Sequence, residues 1–297
     1  MNPTSHYQDI LNRLTEWANG NDVIDAVVLT GSRARREADQ DAYSDLDIEI
    51  ISEHVASLAE DDSWIDFLCS PITTLRLEPS ADQRWPTRLI ICENGCKVDF
   101  TLADRRRLDG MKSSGLDSVY CRGYEVLIDK IGICADLPDQ AQSTRSALPG
   151  ELDFRAAVAE FWFEAFHVPR YLARGELWLV KQRDWTMKAL LLQMIEWHAT
   201  ATSKGKVDTW HLGRSISRWA SPDINREIVT IFGRYEINDS IRAFEATTRV
   251  YARLGQDVAW RLGYAYPHDT QIKIQKLCDE VLAKVPQQIT GQNRNDP

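Results

Sequence analysis

The sequence predicts an α+β chain in two parts, an N-terminal mixed β-sheet with helices followed by a C-terminal all-α helical bundle. Three observations predict it. Short apolar or alternating runs bounded by turn residues fill the first half, among them Val27–Leu29, Leu46–Ile50, Thr87–Cys92 and Lys97–Leu102. From Glu151 onward the apolar residues recur at helical spacing instead. Between the two, residues 134–150 (CADLPDQAQSTRSALPG) are rich in Pro, Ser, Gln and Gly, which places a boundary there. The expected division is residues 1–145 and 146–286, with 287–297 an expected disordered polar tail.

Taken in order, Thr4 or Ser5 can cap a first helix whose Ile10, Leu11, Leu14 and Trp17 share a face. The strand at Val27–Leu29 runs into a Gly31-Ser32 turn, a short helix is expected next, and Ser44-Asp45-Leu46-Asp47-Ile48-Glu49-Ile50 then reads as a second strand. Trp64–Leu68 reads as a helix. Thr87–Cys92 and Lys97–Leu102 flank Glu93-Asn94-Gly95, and Asn-Gly is a strong hairpin signal. Asp104 opens a further helix and Tyr124–Asp129 is a last strand, giving an antiparallel-leaning mixed sheet with helices expected on one side. In the second part Phe154, Val158, Phe161, Trp162 and Ala165 form one helical face, and Trp185, Ala189, Leu192, Ile195 and His198 another. Pro222 after Ser221 marks a helix start. Asp239 or Ser240 caps a long helix through Arg261, and Asp269 or Thr270 opens one ending near Pro286.

Composition bounds the function classes. The chain has 297 residues, comfortable for two domains, with 43% hydrophobic and 27% charged residues. No apolar stretch approaches the ~20 residues of a membrane span, and no secretory leader pattern opens the chain, so a cytoplasmic location is expected. The six cysteines show no Cys-x-x-Cys spacing and the six histidines no metal-ligand spacing, which fits reduced thiols. Net charge is −9, unevenly spread: residues 1–150 hold 15 Lys+Arg against 26 Asp+Glu, a balance of −11, and the remainder hold 20 against 18, or +2. An acidic half suits a cationic small molecule and is a poor surface for nucleic acid, whose binding rests on neutralised phosphates.

The chemistry lies in two spaced motifs. A Gly31-Ser32 turn after an apolar strand leaves backbone N–H groups free for phosphate oxygens, and Arg33 follows it. Twelve residues after that turn, the alternation of the second strand puts Asp45, Asp47 and Glu49 on one face and Leu46, Ile48 and Ile50 on the other. Asp45 and Asp47 supply the hard oxygen ligands that Mg²⁺ shares with substrate phosphates. Asp99, mid-strand between Val98 and Phe100, is the candidate third carboxylate, either completing the metal site or taking a proton; its bland alternative is a salt bridge to Lys97 or a nearby Arg. A phosphate-holding turn beside a metal-holding strand points to nucleotidyl transfer.

The segments GSRARREADQDAYSDLDIEI, CKVDFTL, VLIDK, EFWFEAFHVPRYLARGELWLVKQRDW and LLQMIEWHA, in that order over about residues 5–265, resemble the aminoglycoside 6-adenylyltransferases (streptomycin adenylyltransferases) of the DNA polymerase beta-like nucleotidyltransferase superfamily. The resemblance implies a nucleotidyltransferase domain before a helical acceptor-binding domain, ATP as co-substrate, and transfer of AMP to the 6-hydroxyl of streptomycin, inactivating the antibiotic. It departs from the family where Leu75-Arg76-Leu77-Glu78-Pro79 lacks a Gln before the Pro, and at Ala34, where a polar residue is usual. A guanidinium- or amine-bearing acceptor needs carboxylates and aromatic faces, for which Glu160, Trp162, Asp184 and Trp185 are the candidates. Lys181 and Arg183 join Gly31, Ser32 and Arg33 as candidates for the triphosphate. The rival classes are a nucleotidyltransferase acting on a protein or RNA end and a non-catalytic nucleotide sensor; a sensor would be expected to have lost a carboxylate.

Overall fold

The computed structural model describes residues 3–35, 43–81, 83–139 and 147–285. The chain divides into two compact units, Met1–Thr144 and Arg145–Pro297. The expected short helix before the acidic strand, part of the linker, Pro286 and the polar tail fall outside the described residues.

The first unit contains helix α1 (Pro3–Asn19) and strands β1 (Ala26–Thr30) and β2 (Leu46–Ile51). Helices α2 (Val55–Glu60) and α3 (Ser63–Leu68) follow, then strands β3 (Pro71–Leu77), β4 (Thr87–Cys92) and β5 (Lys97–Ala103). Helix α4 (Arg106–Ser114), a single 3-10 turn at Tyr120–Arg122 and strand β6 (Glu125–Asp129) complete it. The sheet order is β3-β4-β5-β2-β1-β6, antiparallel throughout except for the parallel β2–β5 pair. Asn94-Gly95 makes the expected hairpin: the Gly95 N–H returns to the Cys92 carbonyl at 2.9 Å, and Cys92 pairs with Cys96. Asp104 accepts the Arg106 N–H at 3.0 Å at the start of α4.

Alternation along the strands creates two cores rather than one. Val27, Leu29, Ile48, Val98 and Phe100 pack under α1, α2 and α3, where Trp64 stacks on Trp17 and meets Phe100 edge-on. Ala26 and Val28 turn to the opposite face and pack with Leu108 and Met111 of α4 and with Tyr120. Helical structure therefore covers parts of both faces, correcting the expectation of a single covered side. The pattern that would have shown it is the fully buried run of β1, apolar at every position through Leu29.

A charged group lies inside this unit. Arg88 of β4 is fully buried; its Nε donates to Asp62 Oδ1 at 2.8 Å and its Nη2 to the Ala59 carbonyl at 2.6 Å. Asp62 also takes Arg76 of β3 at 2.7 Å, so one carboxylate between α2 and α3 binds two neighbouring strands.

The second unit is entirely helical: α5 (Glu151–Ala173), α6 (Leu177–Ser203), α7 (Ile216–Trp219), α8 (Pro222–Ile231), α9 (Ile237–Leu262) and α10 (His268–Leu282). Ser221 caps α8 by accepting the Ile224 N–H, with Pro222 in its first turn. Asp239 lies inside the first turn of α9 and accepts the Arg234 N–H at 2.6 Å, bracing the approach to the helix rather than capping it. The α5 face is as expected, with Phe154, Val158, Phe161, Trp162 and Ala165 buried and Phe161 stacked on Tyr251. On α6 the buried face is Val180, Met187, Leu191, Met194 and Ile195, so the expected stripe through Trp185 and Ala189 is rotated toward solvent. That helix is apolar on several sides, and the period alone does not fix its phase. Among the described residues no helix is long and apolar enough to cross a membrane.

Replacing Arg88 with leucine leaves Asp62 and the Ala59 carbonyl without their buried partner, and is expected to lower unfolding free energy by about 3 kcal/mol. Denaturant midpoints of the two proteins check this; equal midpoints would show that Arg88 is dispensable.

Candidate active site

The site begins where β1 ends. Thr30 lies opposite Asp47 in the antiparallel β1–β2 ladder, and the chain then turns through Gly31 at φ +68°. A Cβ at Gly31 would fall 2.0 Å from Asp47 Oδ2, so glycine is required both for the left-handed backbone and for space. The turn is set against the carboxylate strand because no side chain separates them. Ser32 is buried in the same turn.

Arg33, expected at the phosphates, is engaged with the protein itself. Its guanidinium donates to the Ser44 carbonyl at 3.1 and 2.9 Å and lies 3.6 Å over the Tyr7 ring, tying the turn to α1 and to the residues before β2. Arg35 was missed by sequence reasoning: its Nε donates to the Gly31 carbonyl at 3.3 Å, and its charge acts on Asp47. The only signal was its place in Arg-Ala-Arg.

The three carboxylates come together through strand register. β2 and β5 run parallel with Asp47 opposite Asp99, so the two side chains leave the same face of adjacent strands. Asp45 stands just before β2 on that side. Lys97, first residue of β5, places its Nζ 2.7 Å from Asp45 Oδ2 and 2.8 Å from Asp99 Oδ2. Burial together with the charges of Asp99 and Asp45 pushes Asp47 up to about 6. Burial also raises Asp99 above the usual carboxylate range, against the opposing pull of Lys97. Glu49, third in the alternation, serves the architecture instead. It is buried, takes Arg107 at 3.1 and 2.9 Å, and accepts from the Tyr120 hydroxyl at 2.9 Å.

The donor set suits a divalent cation. It is three hard carboxylates, Asp47 and Asp99 on adjacent strands and Asp45 just before β2, and Asp99 Oδ1 is buried without a hydrogen-bond partner. Among the described residues no three His, Cys, Asp or Glu side chains stand ready-placed around one metal position. The positive charge between Asp45 and Asp99 is the Lys97 ammonium. All six cysteines are free thiols.

In the second unit Glu160 is exposed and Trp185 is 69% exposed. Trp162 is 1% exposed, with its indole N–H on the Tyr266 hydroxyl at 3.2 Å; it is a core residue, which removes it from the acceptor contacts. Asp184 binds the buried Lys188 ammonium at 2.5 Å, and Lys188 also donates to Thr247. Lys181 donates to the Gly233 carbonyl and Ser240, and Arg183 to both oxygens of Glu164 at 3.0 Å. Both cations named for the triphosphate are thus engaged inside this unit.

The chain is similar to known proteins over most of its length. A profile of the streptomycin adenylyltransferase family matches residues 4–281. An aminoglycoside 6-adenylyltransferase of Bacillus subtilis (strain 168) is 25% identical over 270 residues, 88% of this chain and 92% of that protein. One of Staphylococcus aureus is 23% identical over 273 residues, 88% of this chain and 93% of the relative. A crystal structure of an aminoglycoside 6-adenyltransferase from Bacillus subtilis aligns with a TM-score of 0.44 and 18% identity, over 92% of this chain and 97% of that one. The profile spans both units, the carboxylate strands and the helices alike: the chain belongs to the streptomycin adenylyltransferase family and is a nucleotidyltransferase.

Proposed function

We propose that this chain transfers AMP from ATP to a hydroxyl of a cationic aminoglycoside, the 6-position of a streptomycin-like acceptor, in a Mg²⁺-dependent reaction that inactivates the antibiotic. The reading rests on one observation above the others: Asp47 and Asp99 are register partners on parallel strands, directly beside the Gly31 turn. Family membership, and relatives named for that acceptor class, support it.

In this reading the backbone N–H groups of the Gly31-Ser32 turn and the Ser32 hydroxyl hold the β- and γ-phosphates. Asp45, Asp47 and Asp99 would hold the divalent cation, which supplies positive charge against the triphosphate and the departing pyrophosphate. The acceptor hydroxyl attacks the α-phosphate in line with that leaving group. Where Asp99 is not itself on the cation it takes the hydroxyl proton, and burial makes its carboxylate a better proton acceptor than a solvated aspartate. Glu160 and Trp185 meet the cationic acceptor with a carboxylate and an aromatic face. Asp184 contributes negative charge from beside Lys188.

Asp47→Asn is expected to cut turnover by at least about a hundredfold with the fold intact, since metal charge stabilisation is worth several kcal/mol. Pyrophosphate release from MgATP and streptomycin measures it, and near-parental rates would remove this strand from the site. Ser32→Ala, losing one hydrogen bond to a charged phosphate, is expected to weaken catalysis about 10- to 100-fold, mostly through nucleotide binding. Unchanged KM for ATP and unchanged turnover would reduce the turn to architecture.

The acceptor is tested with a panel. Streptomycin is expected to stimulate pyrophosphate release, kanamycin- and tobramycin-like molecules weakly or not at all, and the acceptor KM is expected to rise with salt. Glu160→Gln and Trp185→Ala are expected to raise that KM and leave the KM for ATP nearly alone. Asp184→Asn is the less clean probe, because it also strips a buried ammonium of its counter-charge. Adenylylation of a protein or RNA extract with no response to any aminoglycoside would overturn the assignment of the acceptor.

A further inference from the structure

Two ion pairs stand on the carboxylate face of the sheet, and they are built differently. Glu49 is held by Arg107 through two guanidinium contacts, with the Tyr120 hydroxyl on the same carboxylate and side-chain exposures of 9% and 16%. Arg107 also pairs with Asp117, so this cation is held between two fixed carboxylates. Lys97 is the opposite case. It is a point charge on a four-carbon stem, its side chain is 40% exposed, and its two contacts are single ones to carboxylates on different elements. It can leave by side-chain rotation alone, without unpairing the β5 backbone.

Its position matters more than its strength. The Lys97 ammonium bridges Asp45 and Asp99; its charge and that of Arg35 also act on Asp47, but burial and the charges of Asp99 and Asp45 outweigh them there. The face therefore holds three carboxylates against one bridging ammonium, an arrangement still open to a further cation. The buried, partnerless Asp99 Oδ1 marks the same deficit at the level of a single atom.

We propose that Lys97 is a resident counter-ion of the metal site: it holds Asp45 and Asp99 in place in the metal-free protein and competes with the divalent cation for them. This rests on the reading of the three aspartates as metal ligands. Lys97 is accordingly a positioning residue whose displacement accompanies metal binding, and it keeps the affinity of the free protein for divalent cations low. Its sequence mark is a lysine two residues before the third carboxylate, on the same face of the same strand.

The test is Mn²⁺ binding to metal-free protein without nucleotide, read from loss of the free-ion paramagnetic resonance signal. Lys97→Met is expected to bind Mn²⁺ about 10- to 100-fold more tightly than the parent, because a competing unit charge has been removed. Lys97→Arg, which keeps the charge, is expected to stay near the parent value. In metal-free buffer Lys97→Met is also expected to melt at lower temperature and to gain more from added Mn²⁺. Should that variant fold poorly, Lys97→Gln removes the charge while keeping a hydrogen-bond donor, and its affinity is expected to rise in the same direction. If Mn²⁺ binding is lost on Asp47→Asn but is unchanged or weaker in Lys97→Met and Lys97→Gln, the counter-ion role is overturned and the metal site stands. If neither the parent nor the Lys97 variants bind Mn²⁺ in an Asp47-dependent way, the metal-ligand reading and the counter-ion role fall together.

Discussion

Two carboxylates set opposite each other by backbone hydrogen bonds cannot move their backbones apart, and that constraint organises the first unit. Side-chain rotation, protonation and the Lys97 ammonium can ease the repulsion between Asp47 and Asp99, but a shift of the β2–β5 register by one residue would turn Leu46, Ile48, Val98 and Phe100 out of the core. Apolar burial on one face of the sheet thus holds an electrostatically unfavourable pair on the other. Burial first, and then the charges of Asp99 and Asp45, raise the proton affinity of Asp47; burial and the charge of Asp45 raise that of Asp99.

Much of the surrounding structure serves the same pair. Gly31 lets the turn approach Asp47 as closely as it does, and Arg33 anchors the turn from behind through Ser44 and Tyr7. One strand position further, Glu49 is neutralised by Arg107 and Tyr120, so the acidic alternation ends in a closed structural pair rather than a fourth open charge. α4 supplies Arg107, which gives the helix on this face an electrostatic role as well as a packing one. Among the described residues, the carboxylates of this face that lack an arginine partner of that kind are thereby Asp45, Asp47 and Asp99, with Lys97 between two of them.

The local parts of this arrangement were legible in the sequence, and the non-local parts were not. Alternation in Asp45–Ile50 and in Lys97–Leu102 fixed which face each carboxylate takes, and Asn94-Gly95 fixed the hairpin. The parallel pairing of β2 with β5 was not written in either segment, because it depends on two helices and two strands that intervene. Lys97 was foreseeable as a partner of Asp99 two residues away, whereas its bridge to Asp45 required that pairing. Arg33 and Arg35 could not be told apart by spacing, since a tight turn rather than a periodic element decides where each one goes. On the helical side, Trp162 and Trp185 look equivalent in composition. The phase of each helix separates them, and α6, apolar around most of its circumference, leaves its phase to tertiary packing.

Each unit closes its interior with its own residues. Phe161 against Tyr251, Trp162 bonded to Tyr266 and Tyr251 bonded to the Ala157 carbonyl draw only on the helical unit, as Trp17, Trp64 and Phe100 draw only on the first. A substitution that opens a void beside Phe161 or Trp162 therefore strips contacts from the helical cluster alone, and the apolar cluster that holds Asp47 opposite Asp99 keeps its own.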